Sequence, residues 1–220
     1  ACASIIFALI FGVLFGVVSA LAKDSFFDRF LLYFSVVGMA LPSFFSSIIV
    51  AWVFGYLLHN FTGLNMYGSL YELDDYGVSN SLELKNLILP AFTLGIRPLA
   101  VIVQLSRNSL LEVLSMDYIR TAHAKGLNKK IVIFKHALRN SLNPVITAVS
   151  GWFASLLAGA VFVEYIFAWN GLGKEIVDAL NNMDLPVVMG SVLFISVIFI
   201  VINILVDIIY MLVDPRIKIE

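Results

Sequence analysis

The residue types that usually carry covalent or metal chemistry are few and widely separated in this sequence. Cys2 is the single cysteine and therefore has no internal disulfide partner. His59, His123 and His136 lie in separate contexts and lack the spacing of a zinc site. Because no Ser/His/Asp or metal-ligand set falls within the apolar segments either, the pattern disfavours an intramembrane hydrolase.

The segment 171–175, with the sequence GLGKE, comes nearest to a phosphate-binding loop. Ala168 stands where the first glycine of such a loop belongs, and Glu175 replaces the Ser or Thr that holds magnesium. We therefore predict that the chain is not an enzyme and binds no cofactor itself.

Two charged residues and one proline lie inside apolar runs, where each has a structural and a functional interpretation. Arg97 and Asp207 could take part in an ion or substrate pathway, or could be held by pairing and by the membrane interface. Pro42 removes a helix hydrogen bond, so it could kink a helix beside a pathway or be accommodated by packing. We take Pro42 and Arg97 as candidate pathway residues.

The composition indicates that membrane-spanning helices position these residues. Of 220 residues, 60% are hydrophobic and 13% are charged, against about 25% charged in an ordinary soluble domain. Because so few charges cannot cover a water-exposed surface, lipid must cover much of it. Five segments are long and apolar enough to cross a membrane as helices, which predicts an all-α, polytopic integral membrane protein built as a helical bundle. These segments are 1–22, 30–58, 90–106, 140–163 and 185–206.

Lysine and arginine are divided unequally between the loops, which predicts the orientation. One side carries Lys23, Arg29, Arg107, Arg120, Lys125, Lys129, Lys130, Lys135, Arg139, Arg216 and Lys218, and the other carries only Lys85 and Lys174. The expected cytoplasmic segments are 23–29, 107–142 and 214–220, and the expected extracytoplasmic loops are 59–89 and 164–185. The first residue then lies outside, so we expect a further span upstream, six spans in the intact protein and a single transmembrane domain over 1–220.

The basic loop between the third and fourth segments reads as two short helices, over residues 115–143. Asp117 can cap the first helix, Gly126 can end it in the left-handed conformation, and Asn128 can cap the second. Pro144 fits the start of the next span. An apolar stripe at helical spacing predicts that the second helix rests against the membrane domain; its residues are Ile131, Phe134, Leu138 and Leu142.

Three interpretations of this loop are possible from its residues. Its cations could simply meet lipid phosphates on the cytoplasmic side, or the two helices could contact a partner protein. A helix-turn-helix that reads DNA is disfavoured because the loop is tethered between spans, and the nearly balanced net charge gives no support for nucleic-acid binding.

The order of motifs along the chain resembles the permease subunits of bacterial ABC importers, in the dipeptide, oligopeptide and nickel branch of the binding-protein-dependent transport family. The similarity covers nearly the whole sequence. The motifs are Asp28-Arg29, LPSF at 41–44, Arg107 with SLLEVL at 109–114, DYIRTAHAKGL at 117–127, HALRNSLNP at 136–144, GAVFVEYIFAWNGLG at 159–173, DLPVV at 184–188 and NILVDIIYMLVDPRI at 203–217.

The resemblance implies that the loop 115–143 is the EAA motif of this family, the cytoplasmic coupling loop that docks on an ATPase. Carried over by position, the coupling residues are Arg120, Thr121, Ala122, Ala124, Lys125, Gly126 and Leu127. The implied partners are a second permease, two ATPase subunits that bind ATP and magnesium, an extracytoplasmic binding protein and the lipid bilayer. The implied location is the bacterial cytoplasmic (inner) membrane, and the implied cargo is a dipeptide, an oligopeptide or nickel.

Glu164 and Trp169 belong to the family-like outer segment, so they are candidates for a mouth that receives cargo, although an interfacial aromatic is an equal interpretation of Trp169. The competing function for the whole chain is an ion-coupled secondary transporter or channel that uses Arg97 or Asp207.

Overall fold

The structure, a computed structural model, describes the backbone of residues 1–73 and 80–213, and the side chains in these ranges except those of 73, 80, 150, 154, 157–159, 207 and 209–213. Predictions on 214–220, on the Asp207 side chain and on the middle of the loop 59–89 lie outside these described residues.

Helices make up most of the described chain, in agreement with the predicted class. They are α1 (Cys2–Leu21), α2 (Phe26–Ala40), α3 (Ser43–Val50), α4 (His59–Thr62), α5 (Lys85–Leu114), α6 (Asp117–Ala124), α7 (Lys129–Ile131), α8 (Leu138–Ser141), α9 (Asn143–Gly159), α10 (Val161–Ile166), α11 (Leu172–Asn181) and α12 (Leu185–Val213). A π-helical stretch, Ala51–Leu57, follows α3, and a second one, Val132–Ala137, joins α7 to α8. Two short strands, β1 (Tyr71–Leu73) and β2 (Asn80–Leu82), pair antiparallel within the predicted outer loop.

Within the described residues, three helices are long and apolar enough to cross a membrane, and one bent pair would make a fourth span. The three helices are α1, α5 and α12 as far as Val206, and they coincide with the predicted segments 1–22, 90–106 and 185–206. A membrane-type helical fold is therefore confirmed at the level of three to four candidate spans.

The predicted span 30–58 is broken rather than continuous. α2 ends at Ala40, Pro42 stands in extended conformation before α3, and the two halves of the segment are bent by 110°. A proline cannot donate the helix hydrogen bond and disfavours helical geometry in the residue before it. Of the two interpretations that the sequence left open for Pro42, the backbone agrees with an interrupted helix.

The predicted segment 140–163 corresponds to two helices. α9 begins at Asn143, with Pro144 in its first turn as predicted, and ends at Gly159 after 17 residues. Ala160 separates it from α10, which adds the six residues Val161–Ile166. α5, by contrast, is longer than the predicted segment 90–106: it has 30 residues and reaches Leu114.

Two compact units make up the chain. The first contains Ala1–Phe7, Ala40–Ile96 and Phe153–Phe199, and the second contains Ala8–Met39, Arg97–Trp152 and the chain from Ile200 onward. In the first unit, α3 packs on α10 through the rings of Phe44 and Phe162, whose centroids are 6.1 Å apart. The Asn86 amide joins the outer loop to the start of α5, because it donates to Ser69 O and to a Glu72 carboxylate oxygen.

Small residues on α1 bring this helix close to α5 in the second unit. A Cβ added at Gly12 would lie 2.7 Å from Cγ2 of Ile102. At Gly16 the added atom would lie 2.5 Å from Cβ of Ser106 and 2.8 Å from the main-chain oxygen of Val103. The small-xxx-small pair on α1 therefore marks a helix–helix contact, as this spacing often does in membrane proteins.

Replacing Gly16 by Ala is expected to destabilise the protein by about 1–3 kcal/mol, because the added methyl group would overlap the Ser106 side chain and the α5 backbone. Gly190→Ala on α12 is the matched control, since a Cβ there meets nothing within 4 Å. Thermal unfolding of both variants in the same detergent provides the measurement. Equal unfolding midpoints for the two variants would contradict the close packing of α1 on α5.

Candidate functional site

The two short helices over residues 115–143, called the hairpin below, turn sharply at Gly126. α6 ends at Ala124, and Gly126 has φ +79°. Its N–H donates to the main-chain oxygen of His123 at 2.9 Å, and the Leu127 N–H donates to that of Ala122 at 3.3 Å. These two bonds satisfy the last carbonyls of α6 in the pattern typical of a glycine-terminated helix. The left-handed conformation predicted for Gly126 is confirmed.

The caps at the two helix starts differ from each other. Asn128 caps the second helix as predicted, because its side-chain oxygen accepts from the Lys130 N–H at 3.0 Å. Asp117 does not cap the first helix: it is the first helical residue, and Met116 precedes it without a side-chain cap. The Asp117 carboxylate instead accepts from Arg120 Nη1 at 3.4 Å, one turn along the exposed face.

The second hairpin helix buries a face that overlaps the predicted one only in part: of the predicted stripe, Leu138 is half-buried and packs against buried apolar residues, and Leu142 is half-buried as well. Phe134 is 60% exposed and Ile131 is also exposed, although both belonged to the predicted apolar stripe. The buried residues of this helix are Val132, Ile133, Ala137 and Ser141. The prediction assumed 3.6 residues per turn throughout, but Val132–Ala137 is π-helical, and its wider turn allows Val132 and Ala137, five residues apart, to be buried together.

The hairpin is packed against the ends of α1 and α5. Eight buried residues from these elements form one apolar cluster: Val17 and Ala20 of α1, Leu110 and Val113 of α5, Ile119 and Ala122 of α6, and Val132 and Ala137 of the second hairpin helix. Across the hairpin, the Asn140 amide donates to the Tyr118 hydroxyl at 3.0 Å. The hairpin is thus held at both of its helices by the same two long helices.

The predicted coupling residues divide into one buried residue and six exposed ones. Ala122 is only 9% exposed because it belongs to the apolar cluster, so it faces the protein and not a partner. The exposed ones are Arg120, Thr121, Ala124, Lys125, Gly126 and Leu127. Together they present small side chains and two cations around the turn, and the cations of the second hairpin helix are exposed as well.

Pro42 and Arg97, two of the remaining predicted site residues, are both exposed. Pro42 is exposed at the break before α3, where its main-chain oxygen accepts from the Ser46 N–H at 3.0 Å. The Arg97 guanidinium is exposed and lies 6.0 Å from the centre of the Trp152 ring, in cation–π geometry. Trp152 is a partner that the sequence did not suggest, because 55 positions separate the two residues.

Glu164 and Trp169 are brought together at the start of α11. A Glu164 carboxylate oxygen accepts from the Lys174 N–H at 2.8 Å, and the Trp169 N–H donates to the main-chain oxygen of Glu164 at 2.8 Å. Both residues line a cavity of about 100 Å³. A Cβ at Gly171 would collide with the Glu164 carboxylate, so this glycine is required for the close approach. The carboxylate therefore occupies the helix start where the segment 171–175 resembles a phosphate-binding loop.

The Tyr165 hydroxyl, on the same segment, donates to the Asp178 carboxylate at 2.5 Å. Because ionisation of the phenol would destroy this bond and place two negative charges together, the contact raises the pKa of Tyr165. The bond ties α10 to α11 at their exposed surface.

The most buried ionic contact in the described residues was not predicted as a site. Asp28 on α2 and Arg107 on α5 form a two-point ion pair, with 2.7 Å from Nε to Oδ1 and 2.7 Å from Nη2 to Oδ2. Their side chains are 2% and 13% exposed. Removing one partner of such a pair typically costs about 3–5 kcal/mol, because the other charge is left buried. Asp28 and Arg107 each stand in one of the family-like motifs, and that placement was the available signal.

The described geometry defines a class of protein: a polytopic helical membrane protein that presents a small, basic hairpin packed on two long helices. The sequence matches the family of the binding-protein-dependent transport system inner membrane component over residues 12–219, and the chain belongs to that family. This is a family of membrane permease components, not of enzymes. Membership implies partnership with ATPase and binding-protein components.

Curated relatives agree with this membership. The chain is 39% identical over 230 residues to the dipeptide transport system permease protein DppB of Alkalihalophilus pseudofirmus, with 98% of this chain and 68% of the relative covered. It is 41% identical over 227 residues to DppB of Haemophilus influenzae, with the same coverage. A stretch of 133 residues, 60% of this chain and 39% of the relative, is 53% identical to DppB of Escherichia coli.

A solved structure has a similar fold. It is an inward-facing conformation of the MetNI methionine ABC transporter, and the comparison has a TM-score of 0.68. The alignment covers 96% of this chain and 89% of the other, at 16% sequence identity. At this identity the likeness concerns the fold alone.

Replacing Glu164 by Ala is expected to lower stability by about 0.5–2 kcal/mol, because the Lys174 N–H at the start of α11 loses its acceptor. Glu164→Gln is the matched control, since its amide oxygen can still accept this bond. Thermal unfolding, together with the rate of protease cleavage between residues 167 and 172, provides the measurement. If the two variants are equally stable, the carboxylate does not anchor α11.

Proposed function

We propose that this chain is the pore-forming permease subunit of an ABC importer that moves short peptides across the bacterial cytoplasmic membrane. The observation that carries the proposal is the family match over residues 12–219, together with relatives named as dipeptide permeases along 98% of the chain. We favour dipeptides over longer peptides or nickel because the relatives named above are dipeptide systems. The fold similarity to a methionine ABC transporter agrees with this class.

The proposed site of contact with the ATPase is the outward face of the hairpin. Exposed small residues at Thr121, Ala124 and Gly126 would permit close approach of a partner, and Arg120 and Lys125 would attract its acidic groups. The opposite face supports the proposal, because Ile119 and Ala122 are buried against α1 and α5. A displacement of the hairpin would therefore be passed to two long helices by packed side chains.

ATP and magnesium are proposed to bind only in the two partner ATPases. The Glu164 carboxylate supports this proposal, because it lies at the start of α11, where the sequence comes nearest to a phosphate-binding loop. A phosphate group at that place would meet a carboxylate at close range, and like charges repel. This chain would then supply the pathway and the coupling surface, and no reaction of its own.

The intact transporter is proposed to pair this chain with a second, homologous permease in the lipid bilayer. An external binding protein would deliver cargo at the extracytoplasmic loops 59–89 and 164–185. The segments 23–29, 107–142 and 214–220 would face the cytoplasm, as the distribution of Lys and Arg predicts. Within 1–220 we propose five spans, one of which consists of α9 and the start of α10 as far as Val163.

Transport would proceed by alternating access. ATP-driven closure of the two ATPases would move the hairpins and open the cavity outward, and hydrolysis would return it inward. The break at Pro42 and the mouth residues Glu164 and Trp169 are proposed to line the external part of the path. Arg97 is proposed to have a structural role, because its guanidinium rests on the Trp152 ring.

Import of a radiolabelled dipeptide by the reconstituted transporter is expected to require ATP and to stop when the partner ATPases carry an inactivating substitution. It should continue when the ion gradient is dissipated, because no ion is the energy source. Uptake that survives ATPase inactivation and collapses with the gradient would favour the ion-coupled transporter instead. In that case Arg97→Gln should abolish uptake, whereas the ABC proposal expects little change.

Gly126→Val is expected to leave the protein inserted in the membrane. Uptake per ATP hydrolysed should fall by about tenfold, a factor typical of the coupling between two sites of one protein. The reason is that a β-branched residue is disfavoured at φ +79°, so the turn would reorganise the proposed contact surface. Gly126→Asn is the matched control, because asparagine tolerates the left-handed region. Coupled transport at the wild-type ratio in Gly126→Val would remove the hairpin from the proposed coupling role.

A further inference from the structure

Asp28 and Arg107 connect three segments beside the hairpin. Asp28 Oδ1 accepts from Arg107 Nε and from the Ser19 hydroxyl near the end of α1. Oδ2 accepts from Arg107 Nη2 at 2.7 Å and from the Asp24 N–H at 3.0 Å. One carboxylate thus joins the last turn of α1, the turn between α1 and α2, and α5.

The turn between α1 and α2 is shaped around this carboxylate. Asp24 has φ +63°, a left-handed conformation that side chains rarely adopt, and its N–H points at Asp28. The Ser25 hydroxyl accepts from the Asp28 N–H at 3.1 Å and fixes the first turn of α2. The conformation of this turn therefore depends on the position of the Asp28 side chain.

The ion pair also lies next to the packing that holds the hairpin. Arg107 precedes Leu110 by about one helical turn on α5, and Ser19 lies between Val17 and Ala20 on α1. Leu110, Val17 and Ala20 belong to the apolar cluster with Ile119, Ala122, Val132 and Ala137 of the hairpin. The two helix ends that carry the hairpin are thus the ones that the carboxylate joins to α2.

Among the described residues, neither the eight buried members of the cluster nor the hydrophobic residues packed against it lie on α2. The ion pair supplies a directional connection: a two-point contact between a guanidinium and a carboxylate fixes both distance and orientation. In surroundings of low dielectric, separating the two charges is far less favourable than in water. A movement of the α1 and α5 ends would therefore carry the start of α2 with it.

We infer that Asp28 and Arg107 are positioning residues for transport, which make α2 follow the hairpin when the hairpin is displaced. This inference rests on the proposed function, because it assumes that a partner moves the hairpin. It assigns no contact with cargo or with the ATPase to either residue. Their role is to transfer a displacement from the apolar cluster to α2, which supplies none of the described residues of that cluster.

The test uses the double variant Asp28→Asn with Arg107→Met, which removes the ion pair without leaving one charge buried. The intact transporter, with its second permease and its ATPases, is reconstituted with the binding protein, and uptake of a radiolabelled dipeptide is measured against ATP hydrolysed. We expect ATP hydrolysis to continue and uptake per ATP to fall by about tenfold. Arg29→Gln is the matched control, because Arg29 is exposed beside Asp28 and should leave the ratio unchanged.

A second variant keeps the test decisive if the double variant does not assemble. Arg107→Lys retains both charges but replaces the two-point contact by a single ammonium, so uptake per ATP should fall by a smaller factor, about threefold. A purely structural role would lower the amount of assembled transporter and leave uptake per ATP unchanged. An unchanged ratio in the assembled double variant, or in Arg107→Lys if only that one assembles, would overturn the inference.

A distance measurement separates this inference from the proposed function. Spin labels are placed at Phe30 on α2 and at Lys129 at the start of the second hairpin helix, both exposed. The distance distribution is expected to be narrow with the native ion pair and to broaden in the double variant, with or without cargo. If the wild-type transporter imports no dipeptide, the proposed function fails; if it imports normally and the distribution stays narrow in the double variant, only the inference about Asp28 and Arg107 fails.

Discussion

The rest of this structure depends on the packing of the hairpin onto the ends of α1 and α5. Eight buried side chains from four elements share one apolar cluster, and its members are small or branched. Alanine at positions 20, 122 and 137 lets the helices approach closely, and this fixes which face of the hairpin points outward. The exposed turn at Gly126 owes its orientation to the buried face behind it, since Ala122 lies in the cluster four residues earlier.

The small number of charged side chains is the second constraint on this structure. In a chain with so few ionisable groups and so much apolar surface, a charge without a partner is costly, and the structure pairs its less exposed carboxylates closely. Asp28 accepts from a guanidinium, a hydroxyl and a main-chain N–H. Glu164 accepts from the N–H of Lys174 at the start of α11. Each carboxylate joins segments that are separate in the sequence by hydrogen bonds of fixed direction.

Two of the helix irregularities lie at places where function is proposed. The break before α3 follows from Pro42, and the π-helical stretch in the hairpin widens the turns between Val132 and Ala137. Wide or broken turns redirect side chains that a regular helix would place elsewhere. The hairpin therefore buries Val132, Ile133 and Ala137 and leaves Phe134 exposed, and the exposed ring adds apolar area to a surface that is otherwise basic.

The sequence by itself determined the class of the protein, because that depends on local and additive properties. Apolar length predicted α1, α5 and α12; Gly126, Asn128 and Pro144 predicted their own backbone roles; and the order of motifs predicted the family. The tertiary structure decided what depends on contacts between distant residues. Asp28 and Arg107 are 79 positions apart in the sequence and form their ion pair only in the folded chain, and the same holds for the contact between Arg97 and the Trp152 ring. The buried face of the hairpin was also decided by the tertiary structure. One π-helical stretch changes the spacing of the buried residues, and hydrophobic periodicity in the sequence does not predict where such a stretch begins.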